Sequence, residues 1–221
     1  MNYVQVKEWE TRFHQHLDQH LSQFERVDAS HDLAHVRRVA QTAEMLCERE
    51  GGVLAIVTPA AWFHDYVMVP KNDPRRSQAS RLSAQEAVGV LNSIGYPSEY
   101  LSPIAHAIEA HSFSAQIECQ TLEACIVQDA DRLDALGAIG LARLFNTSGQ
   151  MGSRLYQEAD PFAKNRPLND RVFALDHIFN KLYPIVSTLR TEAGRQEGLR
   201  RRYFLEVFIH QLTEELGMKN R

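Results

Sequence analysis

The sequence lacks the long apolar run that a membrane-spanning helix needs, since no stretch reaches the roughly 20 apolar residues required. Its first residues, Met1 to Gln5, have neither the positive charge nor the apolar segment of a secretory signal, and we therefore expect a cytoplasmic protein. An excess of positive charge is also missing. The net charge is −4, which argues against a general binder of nucleic acid or of membrane surfaces.

Cysteine is scarce, with three residues in the chain, an odd number that cannot all pair internally. Cys47, Cys119 and Cys125 lie in apolar contexts with helical spacing. We expect them to be reduced thiols in the core, as in a protein of the reducing cytoplasm. This argues against a small domain that is stabilised by disulfide bonds.

Strand-like alternation, internal repeats and low-complexity tracts are absent from the sequence as well. Apolar residues instead recur at spacings of three and four, which predicts amphipathic helices. With 44% hydrophobic and 24% charged residues, the chain can bury a core. It is predicted to be all-α, a single domain over residues 1–221 with about eight or nine helices. The predicted helices are 3–26, 58–66, 82–94, 98–111, 121–145, 171–189, 199–216 and one capped by Ser30 or Asp32 that ends near Arg49, with loops at 67–80 and 146–169.

The helix predicted for 58–66 has an unusual end. Thr58 is suited to cap it, and Pro59 to be its first residue, because the missing N–H of proline would be unpaired there anyway. The segment is almost wholly apolar until it reaches His64 and Asp65. A buried imidazole and carboxylate need partners, and a metal ion would satisfy both.

Other polar residues in helical, apolar surroundings could join this pair. His35 lies next to the apolar stripe of its helix, so it is predicted to point inward. Asp129, Asp131 and Asp134 follow one another too closely to share one helix face, so at least one is expected to be buried. Either Asp131 or Asp129 could be the further carboxylate.

His35, His64, Asp65 and such an aspartate would form a set of two imidazoles and two carboxylates. This set suits a hard or borderline divalent cation such as Mn, Fe, Co, Ni, Zn or Mg. Helical bundles build metal sites of this kind from side chains on several helices.

These motifs, in this order, resemble those of the HD-domain metal-dependent phosphohydrolase superfamily. The first histidine matches His35 in His35-Val-Arg-Arg-Val39, the pair matches His64-Asp65, and the last acid matches Asp131 in Ala130-Asp-Arg-Leu133. Asp129-Ala-Asp-Arg-Leu-Asp-Ala-Leu-Gly-Ala138 and Phe179-Asn-Lys-Leu182 resemble the bacterial YedJ/YpgQ-type branch. The resemblance implies a helical HD-type domain, with a motif core at about 28–140 and a C-terminal helical extension at about 146–221.

For the metal site, the resemblance implies the ligands His35, His64, Asp65 and Asp131, with Asp129 as the alternative to Asp131. Members with two metals carry further histidines between the pair and the last aspartate. Only His106 and His111 are available there, so one metal ion is favoured over two. His111 could instead act as a general acid or phosphate donor, or be an ordinary hydrogen-bonded histidine at a helix end.

Phosphoryl transfer also needs cations that bind the substrate. Arg132 is the strongest candidate because it follows Asp131 directly. The remaining candidates are Lys71, Arg75, Arg76 and Lys181.

The predicted activity is metal-dependent hydrolysis of nucleotides or related phosphate esters. One reaction of this class is the release of pyrophosphate from (deoxy)nucleoside triphosphates. Asp65, His111 and Arg132 are the predicted catalytic residues. The alternatives are a nucleotide-sensing helical module with a residual metal site, and a purely structural metal centre. The structural centre is less favoured, because closed sites usually recruit cysteine and none lies near the motifs. The sequence leaves the oligomeric state open.

Overall fold

The computed structural model describes residues 1–23, 32–69 and 73–218. The regular secondary structure in these ranges is helical, and residues 112–121 and 151–173 form turns and irregular chain. The described residues contain no strand, only an isolated bridge between Arg154 and Phe173. The helices are α1 (Tyr3–Leu21), α2 (Leu33–Glu50), α3 (Leu54–Phe63), α4 (Ala79–Ser93), α5 (Leu101–His111), α6 (Leu122–Leu133), α7 (Gly137–Gln150), α8 (Ala174–His177), α9 (Tyr183–Ile185) and α10 (Glu192–Glu215). The predicted all-α class is confirmed. Within the described ranges, no helix is both long enough and apolar enough to cross a membrane.

The chain folds as two compact units. The first comprises Met1–Asp131 and Arg190–Gly194, and the second comprises Arg132–Leu189 and the chain from Arg195 on. In the first unit α2 packs on α3, α3 on α5, α4 on α5, and α1 on α3. In the second unit α7 packs on α8. That the whole chain forms one domain stays a prediction.

Helix α2 has the ends that the sequence predicts. Asp32 is its N-cap, with a side chain that accepts a hydrogen bond from the backbone N–H of His35. Gly51 ends the helix in the left-handed conformation at φ 77°, which favours glycine because a Cβ would be strained there. The N-cap at Asp32 places His35 in the first turn of the helix.

Helix α3 begins at Leu54, so the prediction that Thr58 caps it and Pro59 starts it was wrong. Pro59 lies inside the helix and leaves the carbonyl of Ala55 without its usual N–H donor. The hydroxyl of Tyr96 donates to that carbonyl at 2.6 Å. Thr58 is buried and donates its hydroxyl to Glu44 instead. A partner 41 residues away in sequence therefore lets proline sit within the helix.

The single helix predicted for 121–145 is two helices, α6 and α7. The break falls at residues 134–136, and Gly137 follows it at φ 70°. A left-handed residue cannot continue a right-handed helix, so α6 and α7 are separate helices. Helix α7 then runs to Gln150, so the first five residues of the segment predicted as a loop are helical.

Helix α10 begins at Glu192, seven residues before the predicted start at 199. Gly194 and Gly198 lie in the part of the helix that was not predicted, and both allow close packing. A Cβ on Gly194 would overlap the carboxylate of Asp129, and one on Gly198 would overlap the side chain of Leu189. The glycines therefore allow close approach rather than ending the helix.

Three further boundaries differ from prediction. Helix α1 ends at Leu21, and the rest of the predicted 3–26 helix falls largely outside the described residues. The predicted loop 67–80 contains a 3-10 helix, Pro74–Gln78, capped by the side chain of Asp73. Between α8 and α9 the chain forms a π-helical turn, Ile178–Leu182, just before Pro184, where proline disturbs the regular helix.

Candidate metal and catalytic site

His64 stands at the end of α3 with its ring 0% exposed. Its Nδ1 lies 2.7 Å from the carbonyl oxygen of Ala61, to which a protonated Nδ1 donates. In the neutral ring this leaves Nε2 as the atom with a free lone pair. His64 can therefore bind a metal ion through Nε2. The next residue, Asp65, has a half-buried carboxylate.

His35, from the first turn of α2, meets His64 inside the first unit. The two Nε2 atoms lie 3.3 Å apart, and the His35 side chain is 1% exposed. Asp131, near the end of α6, completes this group. Its Oδ1 lies 3.6 Å from Nε2 of His35 and 3.8 Å from Nε2 of His64.

His111, the last residue of α5, joins the cluster through Asp65. Its Nδ1 lies 2.6 Å from the carbonyl oxygen of Ile108, the same local arrangement that orients His64. Its Nε2 lies 3.5 Å from Oδ1 of Asp65, while Oδ2 of Asp65 lies 3.5 Å from Nε2 of His64. Asp65 therefore lies between two histidines.

The donor atoms of this cluster are spaced as metal ligands are. A divalent metal held at about 2.1 Å by imidazole nitrogens keeps neighbouring ligand atoms about 3.0–3.4 Å apart. The measured separations of 3.3–3.8 Å are close to this range. Two overlapping groups could hold an ion: His35, His64 and Asp131, and His64, Asp65 and His111. The residues present therefore fit a divalent cation, and His64 belongs to both groups.

The pKa values of two buried histidines, His64 and His111, are shifted in opposite directions. Burial lowers the pKa of His64 below its ordinary value, although the neighbouring carboxylates Asp65 and Asp131 oppose this. The neutral form that results is the form that binds metals. Burial also acts to lower the pKa of His111, but the hydrogen bond and charge of Asp65 outweigh it and raise the pKa overall. His111 is thus the better proton carrier.

Asp129, the alternative to Asp131, has a different set of partners. Its carboxylate, 0% exposed, accepts hydrogen bonds from the backbone N–H groups of Arg190 and Thr191 and from the hydroxyl of Thr191. It thereby holds the chain at the start of α10. Asp134, also buried, pairs with Arg143 in the second unit. The geometry places Asp131, rather than these two acids, beside His35 and His64.

The cations predicted to bind phosphate are more dispersed. Arg75 is exposed and paired with Asp73, and Arg76 donates Nη1 to the carbonyl oxygen of Val69 at 2.8 Å. Lys71 lies outside the described residues. Arg132 and Lys181 belong to the second unit, where Arg132 donates Nη1 to the carbonyl oxygen of Thr188 at 2.6 Å and Lys181 is exposed on the π-helical turn.

Sequence reasoning missed the connection between α1 and the histidine–aspartate pair. Tyr66 directly follows Asp65, and its hydroxyl lies 2.9 Å from Nε2 of His16. The ring of His20 stacks on Tyr66 with centroids 4.1 Å apart. His16 and His20 are four residues apart and so share a helix face, which was the available signal.

Comparison with known proteins identifies the family of the chain. A family model described as the HD domain matches residues 32–136. The uncharacterized protein YpgQ of Bacillus subtilis is 33% identical over 192 residues, which is 85% of each chain. The structure of B. subtilis YpgQ in complex with ADP has a TM-score of 0.73 at 29% identity, over 95% of this chain and 96% of that one. An HD-superfamily hydrolase from Bacillus thuringiensis has a TM-score of 0.75 at 29% identity, over 97% and 100% of the two chains.

Proposed function

The chain belongs to the HD-domain family, and from that premise we propose that it is a metal-dependent phosphohydrolase that acts on nucleotides. The observation that carries the proposal is a pair of overlapping groups of donor atoms in the first unit, one of His35, His64 and Asp131 and one of His64, Asp65 and His111, which share His64. The similar structures include an HD-superfamily hydrolase, which supports hydrolysis as the reaction type. They also include a relative in complex with ADP, which supports a nucleotide as the substrate class.

His35, His64, Asp65 and Asp131 would hold one divalent cation of the Mn, Fe, Co, Ni or Mg type. Such an ion supplies Lewis-acid activation of water and of a phosphoryl oxygen. The buried histidines contribute neutral Nε2 donors, and the two carboxylates offset the positive charge. Because Asp65 and Asp131 are half-exposed whereas His35 and His64 are buried, the carboxylates form the side of the cluster that solvent reaches.

His111 is proposed as the proton donor of the reaction. It lies 3.5 Å from Asp65, whose charge raises its pKa and so favours the protonated ring. A protonated His111 can give its Nε2 proton to a departing phosphate oxygen, a general-acid role. It is a fifth donor beside the four proposed ligands, and a second ion held by His64, Asp65 and His111 is the alternative use of the same atoms.

We propose that cationic side chains neutralise the charge of the substrate phosphates, and the candidates are Arg132, Lys71, Arg75, Arg76 and Lys181. Of these, Arg76 is tied to the segment after the histidine–aspartate pair through its bond to Val69. Arg132 follows Asp131 directly in the sequence, and its Nη1 donates to the carbonyl oxygen of Thr188. Such cations stabilise the charge that develops during phosphoryl transfer.

Within this class, we favour release of pyrophosphate from (deoxy)nucleoside triphosphates. The test is a panel of nucleoside mono-, di- and triphosphates, incubated with metal-stripped protein and each metal in turn, with phosphate and pyrophosphate measured separately. Pyrophosphate from triphosphates is the expected result, and phosphate from monophosphates would make the protein a nucleotidase. Tight nucleotide binding without turnover under any metal would overturn the proposal in favour of a sensing module.

A further inference from the structure

Asp65 lies just beyond the end of helix α3. The helix ends at Phe63, and His64 is its C-cap. Backbone groups at and beyond a helix end need partners from outside the helix. The carboxylate of Asp65 is nevertheless well placed, with one oxygen 3.5 Å from Nε2 of His64 and the other 3.5 Å from Nε2 of His111. Contacts that hold the chain directly after Asp65 therefore bear on the direction of its side chain.

The peptide that joins Tyr66 to Val67 is held at both ends by side chains from two other helices. Its carbonyl oxygen lies 3.2 Å from Nε2 of His20 on α1, and the ring donates because a carbonyl oxygen can only accept. Its N–H donates to Oγ of Ser83 on α4 at 3.0 Å. Since a peptide unit is planar, contacts at its C=O and at its N–H fix the orientation of the whole unit.

The remaining groups of Tyr66 are held as well. Its N–H donates to the carbonyl oxygen of Phe63 at 3.2 Å. Its ring is 9% exposed and stacks on His20 with the ring planes 12° apart, and its hydroxyl lies 2.9 Å from Nε2 of His16. Both backbone polar groups and the side chain of the residue that follows Asp65 thus have partners.

We propose that His20 and Ser83 are positioning residues for Asp65, which hold the next peptide so that the carboxylate faces His64 and His111. The inference rests on the proposed function, because it takes Asp65 as a metal ligand. Removing a side chain that orients a metal ligand typically lowers metal affinity roughly 10–100-fold. The two contacts act on the backbone beside the ligand, so an effect at the lower end of this range, about tenfold, is expected.

Helix α4 offers a matched pair of serines for the test. Ser80 and Ser83 are three residues apart, so they share a helix face, and each is 1% exposed. Oγ of Ser83 accepts from the N–H of Val67, whereas Oγ of Ser80 has no hydrogen-bond partner among the described residues. Replacement by alanine therefore removes the same buried atom at both positions, but it breaks the contact with the peptide only at Ser83.

Calorimetric titration of the metal-free protein with Mn²⁺ measures the effect. Ser83→Ala should raise the dissociation constant for Mn²⁺ about tenfold. Ser80→Ala should leave it unchanged. Thermal unfolding shows that each variant is folded at the temperature of the titration, so a loss of stability alone does not change the affinity of the folded protein.

His20 tests the other end of the peptide. His20→Leu removes the donor and should also weaken Mn²⁺ binding about tenfold. His20→Gln keeps an amide N–H that can donate to the carbonyl and should restore most of the affinity. Since both contacts hold one peptide, the double variant of Ser83→Ala and His20→Leu should bind hardly more weakly than either single variant.

The outcomes separate this inference from the proposed function. If the unaltered protein binds Mn²⁺ and Ser83→Ala binds it as tightly as Ser80→Ala does, the positioning role is overturned and the proposed function stands. Equal losses in His20→Leu and His20→Gln, or independent losses in the double variant, would also overturn the positioning role. An unaltered protein without affinity for any divalent metal would overturn the proposed function and this inference together.

Discussion

The Nε2 atoms of His35 and His64 lie 3.3 Å apart, although 29 residues separate the two histidines in sequence. In His64 the other ring nitrogen is held by a backbone carbonyl, so Nε2 is left to face the cluster. Two lone pairs at this distance repel one another unless a proton or a cation lies between them. The fold thus holds a donor pair that a divalent ion would stabilise, and Asp131 stands within 3.8 Å of both.

Replacement by asparagine is expected to affect metal binding at Asp131 and stability at Asp129. Asp131→Asn should abolish tight metal binding while the fold is retained, because its carboxylate is half-exposed and belongs to the cluster. Asp129→Asn should keep the metal but lower the free energy of unfolding by roughly 2–3 kcal/mol, since it replaces a buried carboxylate that accepts several hydrogen bonds. Metal analysis and denaturant unfolding of both variants measure this. Loss of metal from Asp129→Asn alone would reverse the assignment.

Gly194 is expected to tolerate no side chain. A Cβ there would overlap Oδ2 of Asp129 and the hydroxyl of Thr191, so Gly194→Ala should destabilise the protein by roughly 1–3 kcal/mol. Gly89, inside α4, is the matched control, because a Cβ there meets nothing within 4 Å. Gly89→Ala should stabilise by about 0.5–1 kcal/mol through helix propensity. Thermal unfolding of the pair gives the comparison, and equal effects of one sign would refute the packing argument.

These glycines show where the sequence is informative and where it is not. The histidine–aspartate pair, His35 and the aspartate near 131 could be selected because polar side chains in apolar helical patterns need partners. The start of α10 could not be predicted from the sequence, because the role of Gly194 depends on Asp129, which is far away in sequence. The same holds for Pro59, whose place inside α3 depends on the hydroxyl of Tyr96. Local signals predict helices, whereas packing partners set their ends.

Tyr66 is expected to couple energetically to His16. Tyr66→Phe removes the hydroxyl that lies 2.9 Å from Nε2 of His16 but keeps the ring that stacks on His20. The loss should be about 0.5–1.5 kcal/mol in the free energy of unfolding. A double-mutant cycle with His16→Leu should return a coupling energy of similar size. Additive effects of the two substitutions would show that the contact contributes nothing to stability.

Glu197 should make stability depend on pH in the acid range. Hydrogen bonds from Arg200 and Arg201 hold the pKa of its carboxyl below its ordinary value of 4.5, against the effect of burial. A lowered folded-state pKa means that the contribution is complete above the unfolded pKa and is lost as the pH falls through the folded one. Glu197→Gln should thus cost about 1 kcal/mol at neutral pH and progressively less below pH 4.5. A pH-independent difference in urea unfolding would contradict this account.

The most direct test of the metal-dependent mechanism is a parallel measurement of bound metal and of pyrophosphate release, in the unaltered protein and in Asp65→Ala. Asp65 lies between His64 and His111, at 3.5 Å from each, so its removal should disrupt metal binding and catalysis together. We predict that the unaltered protein binds a divalent ion and hydrolyses triphosphates only when it is loaded. Asp65→Ala should do neither. A metal-free Asp65→Ala protein with full activity would contradict the mechanism.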